Sequence, residues 1–365
     1  MSPADRHWLH VFSTFDVGGP QLRTVQIIEA LPRDTRHTII AMDGRTGCAD
    51  RLPGDARIDL LEPPSARGFR AMGRAMGQRI EELSPDLLLT YNWGAIESLL
   101  GAGHAGMRAV VHHEEGFGPE EFEGLLWRRN WARRWLLRRA HAVVVPSLRL
   151  QELARRCWKQ PAGRLHYLPN GIDLARFTPT ERGAGDEPVI GCVSALRPEK
   201  NQSLLLAAFA RMKSREGARL LLIGDGPDRE SVRALADELG ITSRVTFAGS
   251  VADTATVYGD MDLFALSSRT EQMPLVVLEA MACGLAVVAT DVGDVRSMLS
   301  PQNREWIAAP EDADGLARML DAALADPALR RRLGMANRRR CEEEFPLREC
   351  LDRYLAIYES ALHGP

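Results

Sequence analysis

The sequence predicts an α/β protein of two domains, each carrying a parallel sheet, on three observations. A chain of 365 residues is too long for one ordinary core. Short apolar runs alternate with helical stretches, as in a parallel sheet with crossover helices. The pattern starts afresh at VIGCV (189–193), after TPTERGAGDEP (178–188), a polar segment rich in Gly and Pro that reads as a linker.

Composition narrows the class. The chain is 45% hydrophobic and 26% charged, as in a globular protein that folds in water. Six cysteines without C-x-x-C spacing favour reduced thiols over disulfides or zinc. The N-terminus, MSPADRHWLHVFSTF, lacks the apolar core of a signal peptide, and no run approaches a membrane span. These features set the expectation of a cytoplasmic protein. Residues 1–178 hold 24 Lys/Arg and 20 Asp/Glu, and residues 179–365 hold 22 and 29. A basic first half and an acidic second half suggest different partners for the two.

In chain order, HWLHVFSTF is the first strand. DVGGPQLRTVQIIEALP follows as a Gly-Gly turn opening a helix with Leu22, Val25, Ile28 and Leu31 on its apolar face. Gly18 and Gly19 would let a ligand approach the backbone closely. HTIIAMDG and RIDLLEP are the second and third strands; a helix, the strand LLLTY and another helix follow. The strand MRAVVHHEEG ends in a polar loop. Ligands gather beyond strand C-termini in such sheets, so His112, His113, Glu114 and Glu115 are candidates. They lack a third ligand at metal spacing, so no metal is expected.

Residues 125–145, LLWRRNWARRWLLRRAHAVVV, place Trp127, Trp131 and Trp135 four apart with six Arg between and after them. The favoured reading packs the Trp face on the sheet, with the Arg in water, because a strand follows at once. The other reading is a helix lying on an anionic membrane surface through Trp127–Arg139.

In the second half, Arg197 and Lys200 stand between a strand and a helix whose start carries Asn201, Gln202 and Ser203. Two cations and a helix N-terminus make a pyrophosphate site. Gly224-Asp225-Gly226 follows the next strand but lacks the third glycine of a dinucleotide fingerprint. Residues 267–295, SSRTEQMPLVVLEAMACGLAVVATDVGDV, read as loop, helix, turn, buried strand and loop. Pro274 suits the first turn of that helix and Gly284 its end. Glu271 falls in the loop. Glu279 lies in the helix, where a buried carboxylate needs a hydroxyl pair or a cation. After residue 301 the chain reads as helical.

The E-x7-E spacing in SSRTEQMPLVVLEAMACG, with the strand and DVGDV after it, resembles the family 4 retaining glycosyltransferases. The resemblance spans roughly residues 8–360. It implies the GT-B fold: two Rossmann-like domains with parallel sheets facing an interdomain cleft, over 1–178 and 179–345, with 346–365 as a helix crossing back. It implies sugar transfer from a nucleotide diphosphate sugar to a hydroxyl of a glycan or lipid-linked saccharide, without cofactor or metal and with no nucleic-acid partner. Domain closure would exclude water. The family's functional positions match His112 (or His113) beside the sugar, Lys200 on the leaving diphosphate, Glu271 on the sugar and Glu279 on the ribose. Gly18, Gly19, Gly224, Ser250, Val251, Met273, Pro274 and Leu275 are implied around the donor. Asn170, Gly171, Asp173 and Phe177 match the segment closing the first domain. The family arginine five residues before the lysine is absent, since Ala195 stands there; Arg197 is the candidate substitute. The rivals are an epimerase or phosphorylase on the same architecture and a non-catalytic nucleotide-sugar binder. A dinucleotide oxidoreductase stands third.

Overall fold

A computed structural model of the chain describes residues 6–117, 121, 124–180 and 187–364. The first five residues, residues 118–120 and 122–123 of the polar loop, and 181–186 of the expected linker lie outside them.

The chain forms two compact units, residues 1–169 with 349–365, and residues 170–348. In the first, β1 (His7–Phe12), β2 (Arg36–Ala41), β3 (Arg57–Leu61), β4 (Leu87–Tyr91), β5 (Val110–His113), β6 (Ala142–Val145) and β7 (Leu165–Tyr167) form one parallel sheet. Its order is β3-β2-β1-β4-β5-β6-β7. The strands from β4 to β6 are buried throughout, as the continuous runs LLLTY and AVVV require of strands covered on both faces. The covering helices are α1 (Gly19–Ala30), α2 (Phe69–Leu83), α3 (Glu97–His104), α4 (Trp127–Leu136) and α5 (Leu148–Arg156).

In the second unit, β8 (Val189–Val193), β9 (Arg219–Ile223), β10 (Val245–Gly249), β11 (Leu263–Leu266), β12 (Val287–Thr290) and β13 (Ile307–Ala308) form a parallel sheet ordered β10-β9-β8-β11-β12-β13. Its helices are α6 (Gln202–Arg211), α7 (Arg229–Glu238), α8 (Leu275–Ala282), α9 (Val295–Met298), α10 (Ala313–Ala325) and α11 (Pro327–Glu344). The last helix, α12 (Leu347–His363), belongs to the first unit from residue 349 and buries Cys350, Tyr354, Ile357 and Tyr358 there.

In each sheet one strand has neighbours wound in opposite directions: β1 between β2 and β4, and β8 between β9 and β11. The crevice beyond the C-termini at such a reversal is where open α/β sheets bind ligands. Two details differ from the sequence reading. The region after residue 301 contains β13, which pairs with β12; two residues are too few to show a period. The units divide at Pro169–Asn170, earlier than the break at 178. Residues 170–178 stay with the second unit because Asn170 bonds the Met273 backbone, Ile172 pairs with the 345–347 segment and Phe177 enters the core.

Candidate functional site

At the reversal in the second unit, the loops following β8 and β11 lie side by side. The first closes with a single helical turn, Pro198–Lys200, and Asn201, whose φ of 49° is one that Asn tolerates. The Gln202 side-chain amide donates to Ser194 Oγ and Ala195 O, each at 2.8 Å, fixing the loop to the start of α6. The second loop is tied to the first: Arg269 N donates to Glu199 O (2.8 Å), and Ser267 Oγ to Lys200 O (3.1 Å).

Lys200 Nζ lies 2.6 Å from Glu271 Oε1, and Ser268 Oγ donates to the same oxygen at 2.8 Å. The Glu271 side chain is 9% exposed and that of Lys200 25%. The loop after β12 covers Glu271 from behind. At Gly293, φ is 52° and a Cβ would meet Glu271 O at 2.4 Å, so this approach requires glycine. Asp294 N donates to Gln272 O at 2.8 Å. Arg197 is exposed and its guanidinium has no hydrogen bond or ion pair among the described residues.

Met273 and Pro274 precede α8, and Leu275 is its first residue. Met273 O accepts Asn170 Nδ2 at 2.8 Å. The helix ends as Gly284 requires: Gly284 N donates to Met281 O and Leu285 N to Ala280 O, with φ of 74° at Gly284. Glu279 Oε2 accepts the Tyr258 hydroxyl at 2.6 Å, and the Thr254 hydroxyl stands near this carboxylate. Burial raises the Glu279 carboxyl above its ordinary range, although both hydroxyls favour its charged form. Inside the unit Glu279 thus has the Tyr258 hydroxyl as its hydrogen-bond partner. Tyr258 was not singled out from the sequence; no motif marks it.

The glycine turn after β9 has a local explanation. A Cβ on Gly224 would lie 1.9 Å from Ser194 O, and one on Gly226 2.3 Å from Leu196 O. Leu196 N donates to Asp225 O at 3.0 Å, so this turn buttresses the loop that carries Lys200. Ser250 and Val251 follow β10 beside it; Ser250 is exposed and Val251 half-buried.

In the first unit, Gly18 caps α1 in an extended conformation open to any residue, with φ of −166°. Its missing Cβ makes room for Gln21 Oε1. The two histidines at the end of β5 point to opposite faces, as neighbours in a strand must. Both are wholly buried. His112 Nδ1 bonds Thr90 Oγ1 at 2.8 Å; Nε2 lies 3.5 Å from Glu114 Oε2 and has no hydrogen bond among the described residues. His113 stacks on Tyr91 and shares a 2.9 Å bond with the Tyr358 hydroxyl. Glu114 is held by Arg133, with Nε 2.9 Å from Oε2, and Glu115 by Arg23.

Arg133 overturns the favoured reading of α4. This Arg and Leu136 face inward, while Trp127, Trp131 and Trp135 are 72%, 61% and 50% exposed. Arg133 also bonds Glu121 (2.9 and 3.0 Å) and lies within 5.3 Å of the Trp93, Phe117 and Trp158 ring centres. Two buried carboxylates require that cation inside, and the Trp stripe takes the other side. Among the described residues no group of three or more His, Cys, Asp or Glu could hold a metal ion, and no helix is long and apolar enough to cross a membrane. All six cysteines are free.

Residues 177–340 match the family described as Glycosyl transferases group 1, and residues 17–176 match Glycosyltransferase Family 4. The chain is 32% identical over 197 residues to a GDP-mannose-dependent α-(1-6)-phosphatidylinositol monomannoside mannosyltransferase of Mycolicibacterium smegmatis, covering 49% of this chain and 52% of the relative. It is 29% identical over 268 residues to an MMP α-(1→4)-mannosyltransferase of Mycolicibacterium hassiacum, covering 70% and 65%. The chain spans about half the length of the first of these relatives. In structure it is similar to Anabaena HepE in complex with UDP and glucose, with TM-score 0.81, 19% identity and coverage of 97% and 99%. It is also similar to the sucrose-phosphate synthase of Thermosynechococcus elongatus, with TM-score 0.80, 23% identity and coverage of 97% and 98%. These likenesses establish the fold.

Proposed function

The chain belongs to the family 4 glycosyltransferases, of GT-B fold, and from that premise we propose that it moves a sugar from a nucleotide diphosphate sugar to a hydroxyl of a saccharide or lipid-linked saccharide, with retention of anomeric configuration. The observation that carries the proposal is the meeting of Lys200 and Glu271 at the winding reversal of the second sheet.

In this reading the sugar–phosphate bond breaks and negative charge grows on the departing diphosphate. Lys200, with Arg197 and the N-terminal end of α8, stabilises that charge; Lys200 is held in place beforehand by Glu271, so little reorganisation is needed there. Glu271 accepts from hydroxyls of the sugar, and its bond to Lys200 keeps both groups in place until the donor arrives. Glu279, held by Tyr258, binds the ribose. Gly224, Ser250, Val251, Met273, Pro274 and Leu275 border the nucleotide, and Gly18 and Gly19 lie against the donor phosphate and the acceptor. His112 would act through Nε2, the ring nitrogen with no hydrogen bond among the described residues. The ring is buried, so this role requires a local opening around it. No metal is invoked, since Lys200 and Arg197 supply the positive charge. We place the reaction in the cytoplasm at a membrane face, where a lipid-borne acceptor would meet the Trp127–Arg139 surface.

The test is a panel of UDP- and GDP-sugars scored by thermal stabilisation of the protein, followed by the anomeric configuration of the product by NMR. Stabilisation by one donor and an α-linked product from an α-linked donor support the proposal. An inverted product, or sugar interconversion with no acceptor consumed, overturns it. One observation favours a second reading: Ala195 stands where the family has arginine, which suits a non-catalytic binder. Tight donor binding with no turnover would select that reading.

A further inference from the structure

We propose that α4 and the short turn after it, Leu137–Arg139, form a docking surface for an anionic lipid bilayer, with Trp127, Trp131 and Trp135 as its anchors and Arg128, Arg134, Arg138 and Arg139 as its headgroup contacts. This deepens the acceptor side of the reading above. At about 100° per residue, the three Trp fall within an arc of about 80°, with Arg128 and Arg134 close on either side. The buried Arg133 and Leu136 lie across the helix from them. This helix therefore turns its aromatic stripe outward.

The outward face continues at Leu125 and Leu126, 36% and 42% exposed. Contiguous exposed apolar surface of this kind marks an interaction site. The indoles are not bare. Arg128 lies 5.4 Å from the Trp127 ring centre, Arg138 lies 5.4 Å from that of Trp135, and Trp131 and Trp135 are 5.7 Å apart. A guanidinium at the level of an indole suits the boundary between phosphate headgroups and acyl chains, where an amphipathic ring keeps its N–H in the polar layer.

Charge selects the occupant. Residues 124–151 contain seven Arg, of which Arg133 is buried, and no Asp or Glu. In a pairing of two copies about a two-fold axis, this surface would meet itself, Arg against Arg. An anionic bilayer offers the opposite charge and an apolar layer beneath it.

The experiment is co-sedimentation of the full chain with phosphatidylcholine vesicles, with and without phosphatidylglycerol, together with tryptophan emission. The wild-type protein sediments with the phosphatidylglycerol vesicles, its emission shifts to the blue, and added salt weakens binding. A variant carrying Trp127→Ser, Trp131→Ser and Trp135→Ser keeps its melting temperature, since these side chains are exposed, and binds at least about tenfold more weakly. A variant carrying Arg128→Gln, Arg134→Gln, Arg138→Gln and Arg139→Gln loses the preference for phosphatidylglycerol. Failure of the wild type to bind either vesicle, or unchanged binding by the triple Ser variant, overturns the proposal. So does a wild-type dimer that the triple Ser variant breaks, with no vesicle binding. The assay contains no nucleotide sugar, so its failure leaves the donor reading standing, and loss of donor binding leaves this proposal standing.

Discussion

Lys200 Nζ and Glu271 Oε1 are 2.6 Å apart although 71 residues separate them in the chain. The pair exists because β8 and β11 are neighbours at the point where the second sheet reverses its winding, so the loops beyond them converge. An arriving diphosphate would exchange one anionic partner of Lys200 for another, with no new desolvation of the ammonium. Lys200→Ala is therefore expected to lower turnover by about two to three orders of magnitude, as when one preorganised charge stabiliser is lost. Steady-state rates on the folded variant check this, and a near-wild-type rate removes Lys200 from the mechanism.

Glu279 supplies a second prediction, in which stability and binding move in opposite directions. Its folded carboxyl is raised by burial, so the charged form is the less favourable one in the fold. The contribution is favourable only at low pH and is lost as pH rises through the folded value. Glu279→Gln should therefore raise the melting temperature at neutral pH, with the gain shrinking on acidification. The same change should weaken nucleotide binding by roughly 10- to 100-fold, the worth of a hydrogen bond to a charged group. Calorimetry at two pH values reads both, and unchanged affinity counts against the ribose role.

How much of this was legible in the sequence depends on the kind of signal. Lys200, Glu271 and Glu279 stood out because turn residues and strand-like runs fix them at the ends of strands or inside a short helix. Tyr258 did not, because its bond to Glu279 joins a short turn to a helix 21 residues on, and nothing local marks it. In α4 the period showed which residues share a face but not which face turns inward. That was decided by Glu114 and Glu121, which lie outside the helix and need the Arg133 cation.

The same ion group gives a third prediction. Arg133→Met would leave Glu114 and Glu121 buried with their principal cation gone. Removing one partner of a buried pair typically destabilises by about 3–5 kcal/mol. The variant should lose the first unit's unfolding transition or shift it far down in differential scanning calorimetry. Replacing the exposed Arg134 with Met should leave it in place. Equal melting of the two variants would mean that Arg133 is not the buried neutraliser.

A fourth prediction concerns pH. His7, His10, His37 and His113 are all buried in the first unit, with Tyr91, Tyr358 and Arg23 as their polar or charged neighbours. Burial lowers all four, His10 and His113 well below the usual range and His37 to about 4. A depressed histidine contributes stability that is present above its unfolded value of 6.5 and lost as pH falls toward its folded value. His37 alone withdraws roughly 3 kcal/mol across that window. The first unit should therefore melt earlier at pH 5 than at pH 7. His37→Phe should flatten that dependence, and an equally steep pH profile in the variant would exclude His37 as a source.

The most direct test of the central claim is calorimetric titration of UDP and GDP into the wild-type protein and into Lys200→Ala. The account predicts that one nucleotide binds the wild type and binds the variant at least about tenfold more weakly, the scale of one charge-assisted phosphate contact. Equal affinity in the two proteins, or no binding of either nucleotide to the folded wild type, would contradict it.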